Sequence, residues 1–371
     1  MLDRRMWRHY DYWLLAIVII LIGVGVAMVY AASFGDPEIA RTPVDQAVTG
    51  LVGIIALVII SILDYTLLKN VAWPIYLVVL IALALVIIPG IGTLRNGARR
   101  WFTIGTLDLQ PGEFAKILLT IVIAKFIADR QGKRPYLETV VLSLLLVAPC
   151  VGLVLRQPNL STALTIVFVW LVQVFVGGIN RQHVAIIAIA GIAIVLLVWN
   201  LGLIESYQLR RIELLLNPEP ENLVAGERYQ VEQALNSLGS GGWWGQGYLE
   251  GSSSELRYLP VRHTDFIFSV LGEQLGFVGA LGLIAMLIFV IFRTLRSAYI
   301  ARDQFGQLLC VGIAATLFLQ SYINIGMQVG IMPVTGVVLP FISYGRSSLI
   351  VLLAAIGIIQ SVAMRHKRLE F

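Results

Sequence analysis

Long runs of apolar residues recur from one end of the chain to the other, separated by short segments with glycine, proline or charged residues. A helix needs about 17 to 25 mainly apolar residues to cross roughly 30 Å of hydrocarbon. The pattern predicts ten membrane-spanning helices, at 13–33, 47–63, 71–90, 112–128, 138–156, 160–178, 183–204, 266–292, 307–332 and 346–364. We therefore expect an all-α integral membrane protein, with a single membrane domain over residues 1–371.

Composition supports this class, because 58% of the residues are hydrophobic and only 13% are charged, whereas soluble domains have about 25% charged residues. The net charge of +5 does not indicate nucleic acid here, since Lys and Arg beside spans set topology. With a cytoplasmic N-terminus, every inner segment carries a cation: Arg4, Arg5, Arg8, Lys69, Arg130, Lys133, Arg134, Arg181, Arg293, Arg296, Arg302, Arg365, Lys367 and Arg368. We expect both termini in the cytoplasm and no nucleic-acid partner.

Two segments on the expected outer side are also basic, against this rule. The first holds Arg95, Arg99 and Arg100 beside Trp101. The second is the long loop 205–265, whose arginines are Arg210, Arg211, Arg228, Arg257 and Arg262. These arginines either pair with outer acids or bind an anionic ligand. The second alternative is chemically suitable because a guanidinium forms bidentate hydrogen bonds with phosphate oxygens. We favour the ligand for Arg99, Arg100 and Trp101, although Trp101 could equally anchor the interface, and leave both readings open for Arg210 and Arg211.

The 205–265 segment is the only large non-spanning region, and its pattern predicts a folded loop. Residues 206–216 alternate basic and apolar positions at helical spacing, which is typical of a helix on the interface. A second helix is predicted at 227–238, followed by the glycine-rich turn 239–247. Such a turn either lets backbone N–H groups approach a ligand or acts as a hinge over the membrane.

Two acids mark the eighth span. Asp265 stands at its outer start, where it either caps the helix or acts on a ligand while Thr264 provides the cap. Glu273 lies about 12 Å deeper at the usual helical rise, among apolar residues. A carboxylate there is costly unless it is paired, so Glu273 is either functional or part of a buried polar network.

Glu113 and Lys116 open the fourth span at a spacing that places them on one helix face. They form either a structural ion pair or a pair in which Lys116 tunes a catalytic carboxylate. Of the four histidines, only His263 is near the acidic site. No His or Cys cluster indicates zinc, and no serine nucleophile elbow is present.

Five blocks of the sequence form a recognisable set: His263 to Phe268, Arg100 with Trp101, Gln110 to Lys116, Gly239 to Gly242, and Ser343 to Gly345. Together they resemble the SEDS family (shape, elongation, division and sporulation) of peptidoglycan polymerases. The resemblance covers essentially the whole chain, and the short tails are more similar to the elongation branch than to the division branch. The chain departs from the family pattern at Asn159, Gln246 and Arg346, where an acid, a lysine and a glycine are usual.

The resemblance implies a transferase of the bacterial cytoplasmic membrane that polymerises lipid II, a disaccharide-pentapeptide on undecaprenyl pyrophosphate, at the outer face. It implies that Asp265 is the general base for the attacking sugar hydroxyl. The supporting or substrate-binding candidates are Glu113, Lys116, Arg99, Arg100, Trp101, Arg210, His263, Thr264, Glu273 and Ser343. No cofactor is required, although Arg99, Arg100, Lys116, Arg210 or a divalent cation (Mg²⁺ or Mn²⁺) could neutralise the leaving pyrophosphate.

The implied partners are a class B penicillin-binding protein, which is a transpeptidase, and the elongation machinery. Two other functions stay open: a lipid II flippase, and a non-catalytic scaffold for the cross-linking partner. An acid at the outer helix end beside basic outer loops favours the enzyme, because a flippase needs binding groups on both sides. The inner loops offer only ordinary topology charges. The predicted site is the outer mouth formed by the starts of the fourth and eighth spans and the loop 205–265.

Overall fold

The computed structural model describes residues 7–95, 97–105, 107–132, 136–178, 225–251 and 262–366. Its helices are α1 (Tyr12–Ser33), α2 (Thr42–Ile62), α3 (Leu67–Leu85), α4 (Pro111–Arg130), α5 (Tyr136–Leu155), α6 (Leu160–Val176), α7 (Ala225–Ser240), α8 (Ile267–Tyr299), α9 (Gln304–Gln328) and α10 (Arg346–Met364). Its strands are β1 (Thr93–Arg95), β2 (Ala98–Ile104) and β3 (Leu107–Leu109). The fold is a helical membrane bundle with one small sheet.

Each predicted span that falls in these residues coincides with a helix, and the span predicted at 183–204 lies outside them. Within the described part of the chain, seven helices are long and apolar enough to cross a membrane. The helix α6 is shorter, and α4 carries five charged side chains. The helix α2 begins at Thr42 rather than at 47, because Pro43 and Asp45 both suit the first turn of a helix.

The sheet between α3 and α4 was not predicted. Its strands are antiparallel in the order β1-β2-β3, and Thr93 pairs with Trp101 while Phe102 pairs with Leu109. The guanidinium of Arg95 donates two hydrogen bonds, of 2.6 and 3.0 Å, to the carboxylate of Asp108. One of the unexpected outer arginines therefore has an acid partner within the sheet.

The helices α2 and α10 pack closely through small residues. A Cβ on Gly357 would lie 2.7 Å from the carbonyl oxygen of Leu57, and one on Gly53 would lie 2.3 Å from the side chain of Leu353. Lipid provides no hydrophobic driving force for the association of two helices. Small residues at such crossings let the helices approach closely, so that van der Waals packing holds them together. The helices α2, α4, α6, α8 and α10 all begin at the same end of the bundle. We call this end the Asp265 end.

The helix α8 is broken at Gly276, which has φ 67° and ψ −168°. The break frees backbone groups, and the glycine-rich turn after α7 binds them. The N–H groups of Gln246 and Gly247 donate to the carbonyls of Glu273 and Gln274 at 2.9 and 3.2 Å. In return, the N–H groups of the two residues after Gly276 donate to carbonyls of the turn at 2.9 and 3.2 Å. The glycines of this turn thus serve close packing on α8.

Candidate active site

Asp265 lies in the turn that leads into α8, and its side chain is partly buried. The residue at the N-cap position of α8 is Phe266, which makes no side-chain cap hydrogen bond. The N–H of Ser269 in the first turn instead donates to Oε1 of Gln328 at 2.7 Å.

The carboxylate of Asp265 faces the segment between α9 and α10. A Cβ on Gly336 would lie 3.5 Å from Oδ2 of Asp265, and Gly336 has a φ of 69°. One side chain connects the backbone on the two sides of this contact. Nδ2 of Asn324 donates to the carbonyl of Asp265 at 3.1 Å and to that of Val337, the residue after Gly336, at 2.6 Å. The segment 334–345 therefore forms one wall of the site.

His263 joins the same wall from the other direction. Its carbonyl accepts the N–H of Tyr344 at 2.9 Å, and the two rings are 5.7 Å apart. Burial lowers the pKa of His263, and the nearby guanidinium of Arg262 lowers it further, while Asp36 opposes them. The imidazole is therefore biased to the neutral form.

Arg262 is a second arginine, among those predicted on the outer side, that has a structural partner. Its buried guanidinium donates to the carbonyl of Ala32 and pairs with Asp36 at 3.2 Å. It thus ties the turn before α8 to the end of α1. The acid-pairing alternative applies to this residue.

The predicted Arg99, Arg100 and Trp101 cluster lies on β2. Nη1 of Arg99 donates to the carbonyl of Gly92 at 3.0 Å. The guanidinium of Arg100 donates to the carbonyl of Gln157, at 2.8 Å, and to that of Pro158. Arg100 thus braces the turn between α5 and α6. Whether the cluster also binds an anion stays a prediction.

Glu113 and Lys116 form the expected ion pair, with Nζ 2.7 Å from Oε1. Both are buried in the first turns of α4, with 8% and 5% of their surface exposed. At the same turn, a Cβ on Gly112 would lie 3.4 Å from the methyl of Thr162 on α6. Oδ1 of Asn159 caps α6 by accepting the N–H of Thr162 at 3.2 Å. Asparagine caps as well as aspartate does, which gives residue 159 a structural role.

Contacts connect the start of α4 to Asp265. Gly112 packs on Thr162, and Oγ of the adjacent Ser161 donates to the carbonyl of Thr335 at 2.8 Å. Thr335 precedes Gly336, which faces Asp265. The starts of α4 and α8 therefore belong to one region, as predicted. They are joined by α6 and the 334–345 segment, of which the sequence analysis had named only Ser343 to Gly345.

Ser343 and Arg346 hold this wall in place. Oγ of Ser343 accepts the N–H of Leu339 at 2.8 Å, and its carbonyl accepts Nε2 of Gln46 at 3.1 Å. The guanidinium of Arg346 pairs with Asp45, and its Nε donates to the hydroxyl of Tyr344 at 3.0 Å. The extra cation at 346 thus has partners on both sides.

Glu273 is fully buried beneath the turn that follows α7. Its Oε2 accepts a hydrogen bond from Oγ of Ser237 at 3.1 Å, and a Cβ on Gly251 would lie 3.0 Å from it. The geometry matches the buried-network interpretation. Arg210 lies outside the described residues, and Thr264 is partly buried in the turn that holds Asp265.

An apolar cavity of about 260 Å³ lies between α2, α3, α4 and α10, and its lining extends to Asp64, Tyr65 and Ser361 near the end opposite Asp265. The residues of α4 that line it are Phe114, Ile117, Leu118 and Ile121. The cavity and the Glu113–Lys116 pair thus share one helix.

Among the described residues, no group of three or more His, Cys, Asp or Glu could hold a metal ion.

Comparison with known proteins shows similarity over nearly the whole chain. The family model for FtsW, RodA and SpoVE, described as "Cell cycle protein", matches residues 12–368. Peptidoglycan glycosyltransferase MrdB of Escherichia coli K12 is 36% identical over 362 residues, which cover 98% of this chain and 95% of the relative. A probable peptidoglycan glycosyltransferase FtsW of Trichlorobacter lovleyi is 38% identical, with 96% and 93% covered. Stage V sporulation protein E of Bacillus subtilis is 34% identical, with 96% and 98% covered.

Solved structures agree with the sequence matches. A chain in a structure described as "Structural coordination of polymerization and crosslinking by a peptidoglycan synthase complex" superimposes with a TM-score of 0.82 at 32% identity, covering 97% of this chain and 99% of that one. Rod shape determining protein RodA of Thermus thermophilus gives a TM-score of 0.70 at 30% identity, with 95% and 96% covered.

Proposed function

Because the chain belongs to the FtsW, RodA and SpoVE family, we propose that it is a peptidoglycan glycosyltransferase that polymerises lipid II into glycan strands during cell elongation. The SEDS resemblance of its sequence is thereby confirmed. The observation that carries the proposal for the site is the partly buried carboxylate of Asp265, which faces Gly336 across the mouth of the bundle. We place this end outside the cytoplasm, because Lys69, Arg293 and Arg365 lie at the opposite end.

In the proposed reaction a sugar hydroxyl attacks the anomeric carbon of a second lipid-linked sugar. Asp265 takes the hydroxyl proton as the new carbon–oxygen bond forms, since a neutral hydroxyl is a poor nucleophile. The bond between the anomeric carbon and the pyrophosphate breaks, and its electron pair leaves with the pyrophosphate. No ATP is needed, because the substrate already carries the activated bond.

The leaving pyrophosphate needs positive charge nearby. Lys116 has three N–H donors, of which one binds Glu113, so the others can serve a phosphate oxygen. Arg99 on β2 is a further candidate. If Mg²⁺ or Mn²⁺ takes part, the substrate's phosphates would have to supply ligands, as such ions commonly require.

The isoprenoid tail of the substrate requires an apolar path within the bilayer. The cavity between α2, α3, α4 and α10 offers an apolar surface of this kind, to which α4 contributes Phe114 and Ile117, the neighbours in sequence of Glu113 and Lys116. A tail that ran along this face of α4 would leave its pyrophosphate at the start of the helix, where Glu113 lies in the first turn. Both sugars in the proposed reaction are lipid-linked, and the product keeps the lipid of the sugar whose hydroxyl attacks, so the reaction has to take place at a membrane.

We extend the proposal to a class B penicillin-binding protein as partner, because one similar structure is described as a complex that coordinates polymerisation and crosslinking. The flippase and scaffold alternatives have less support. At the end opposite Asp265, Lys69 pairs with Asp303 and Arg293 pairs with Asp11. A flippase would need substrate-binding cations there, and these two are engaged between helices.

The test is to reconstitute the purified protein in liposomes, with and without the penicillin-binding protein, and to measure polymer formed from fluorescent lipid II. We expect Asp265→Asn to lower the rate by about a hundredfold or more, the usual contribution of a general base. The matched control is Asp303→Asn, which keeps a cap residue on α9 at the opposite end and should polymerise normally.

A wild-type rate for Asp265→Asn would exclude Asp265 as the base. If the wild-type protein made no polymer but moved lipid II across the liposome membrane, the flippase would be the correct function. If the protein made no polymer and only stimulated crosslinking by its partner, a scaffold would be the correct function.

A further inference from the structure

Two fully buried amide side chains of α9, Asn324 and Gln328, contact the backbone of Asp265 and of Ser269, four residues later. Nδ2 of Asn324 donates to the carbonyl of Asp265, and Oε1 of Gln328 accepts the N–H of Ser269. The two amides also bind each other, because Nε2 of Gln328 donates to Oδ1 of Asn324 at 2.7 Å. They form a continuous hydrogen-bonded unit behind the candidate base.

The same unit holds the opposing wall of the site. Nδ2 of Asn324 makes its second hydrogen bond to the carbonyl of Val337 at 2.6 Å. Val337 follows Gly336, the residue that faces the Asp265 carboxylate. One planar amide therefore sets the separation between the backbone that carries Asp265 and the backbone opposite its carboxylate.

An amide pair in a membrane helix is costly unless its hydrogen bonds are made. Asn324 donates to the carbonyls of Asp265 and Val337, and Gln328 accepts the N–H of Ser269 and donates to Asn324, so the bonds of the pair go to the candidate site or to each other. A helix that only had to pack would use apolar residues here, as most of α9 does. The chemistry of the pair therefore serves the geometry of the turn.

We propose that Asn324 and Gln328 are positioning residues, which hold the Asp265 carboxylate at a fixed distance from the 334–345 wall. This inference rests on the proposed function, in which Asp265 is the base. The acceptor hydroxyl has to reach Asp265 across this gap, and misplacement of a reacting group by about 1 Å can cost a hundredfold in rate.

The first test replaces Asn324 with leucine and measures kcat and KM for lipid II in the reconstituted system. We expect kcat to fall by about tenfold to a hundredfold, with KM unchanged, because the amide touches no substrate. The matched control is Gln360→Leu. Gln360 is also a fully buried amide, and it makes two hydrogen bonds to the backbone of Asp11, at 2.9 and 2.8 Å, at the opposite end of the bundle. It should lose comparable stability and keep its kcat.

A merely structural role predicts a different result. If Asn324→Leu and Gln360→Leu lowered kcat equally, in proportion to the loss of folded protein, the positioning role would be wrong. The double variant gives an independent criterion, since residues that act through one group are not additive. Asn324→Leu should not lower further the residual rate of Asp265→Asn, and a full additional loss would contradict the inference.

The outcomes separate this inference from the proposed function. An inactive Asp265→Asn beside an Asn324→Leu variant with normal kcat would leave the base assignment intact and overturn the positioning role alone. A fully active Asp265→Asn would overturn the base assignment, and the positioning role with it. Loss of kcat in both, with a normal Gln360→Leu, would support both.

Discussion

The docking of the glycine-rich turn on α8 yields a sharp prediction for Gly245→Ala. Gly245 has a φ of 83°, and a Cβ there would lie 2.1 Å from the carbonyl oxygen of Gln274. The left-handed conformation costs an L-residue about 1 to 2 kcal/mol. The overlap is with backbone, which cannot turn aside, so the turn must move off α8.

Movement of the turn would break the four backbone hydrogen bonds that it makes with the Gly276 break in α8. Each contributes about 0.5 to 1.5 kcal/mol, and the groups released on α8 would have no helical partner. Together with the strain, we expect Gly245→Ala to lower the free energy of unfolding by about 3 kcal/mol or more. The melting temperature in detergent should fall by roughly 5 °C or more.

The two cysteines of the chain can report its thermal unfolding. Cys150 and Cys310 are free and buried, so a thiol-reactive dye that fluoresces on reaction will report thermal unfolding. The control is Gly239→Ala in the last turn of α7, where a Cβ meets nothing within 4 Å and alanine has the higher helix propensity. It should melt at or above the wild-type temperature. Identical melting of Gly245→Ala and the wild type would refute the docking.

Two further predictions concern charge. Replacement of Glu113 by Gln leaves Lys116 buried without its carboxylate, so we expect a loss of about 3 kcal/mol or more, seen as a lower melting temperature; the double variant with Lys116→Met should regain part of it, and an unchanged single variant would contradict the buried pair. His263 has a lowered pKa in the folded protein, so the unfolded chain binds its proton first as the pH falls. Stability should therefore decrease as the pH falls below about 6.5, the ordinary pKa of histidine. His263→Gln should lose less stability between pH 7.5 and pH 5.5 than the wild type, and equal losses would exclude this contribution.

The spans could be predicted because a membrane helix is a local feature, set by the length and polarity of one continuous run. The spacing of Glu113 and Lys116 likewise predicted their ion pair, since both lie on one helix face. The sheet at 93–109 was missed because its strands are short, with no sustained apolar alternation. Ser343 in the 334–345 wall was a predicted candidate, but the link of this wall to Asp265 through Asn324 was not predicted. Asn324 and Asp265 are 59 residues apart, and no local pattern pairs them.

The basic residues of the Asp265 end show how a pattern can identify a region without identifying a ligand. Arg95 and Arg262 bind the acids Asp108 and Asp36, and Arg100 binds the carbonyls that precede α6. These arginines bind acids and loop carbonyls that have no partner within a helix or strand. The excess of arginine at this end is therefore explained by the folding of the loops as well as by an anionic ligand. A stronger indication of chemistry lies in Asn324, a polar side chain within an apolar span that makes its bonds to the turn of Asp265. A buried amide in a membrane helix, traced to the backbone that it holds, is therefore a more specific guide to a candidate site than an excess of charge on the loops.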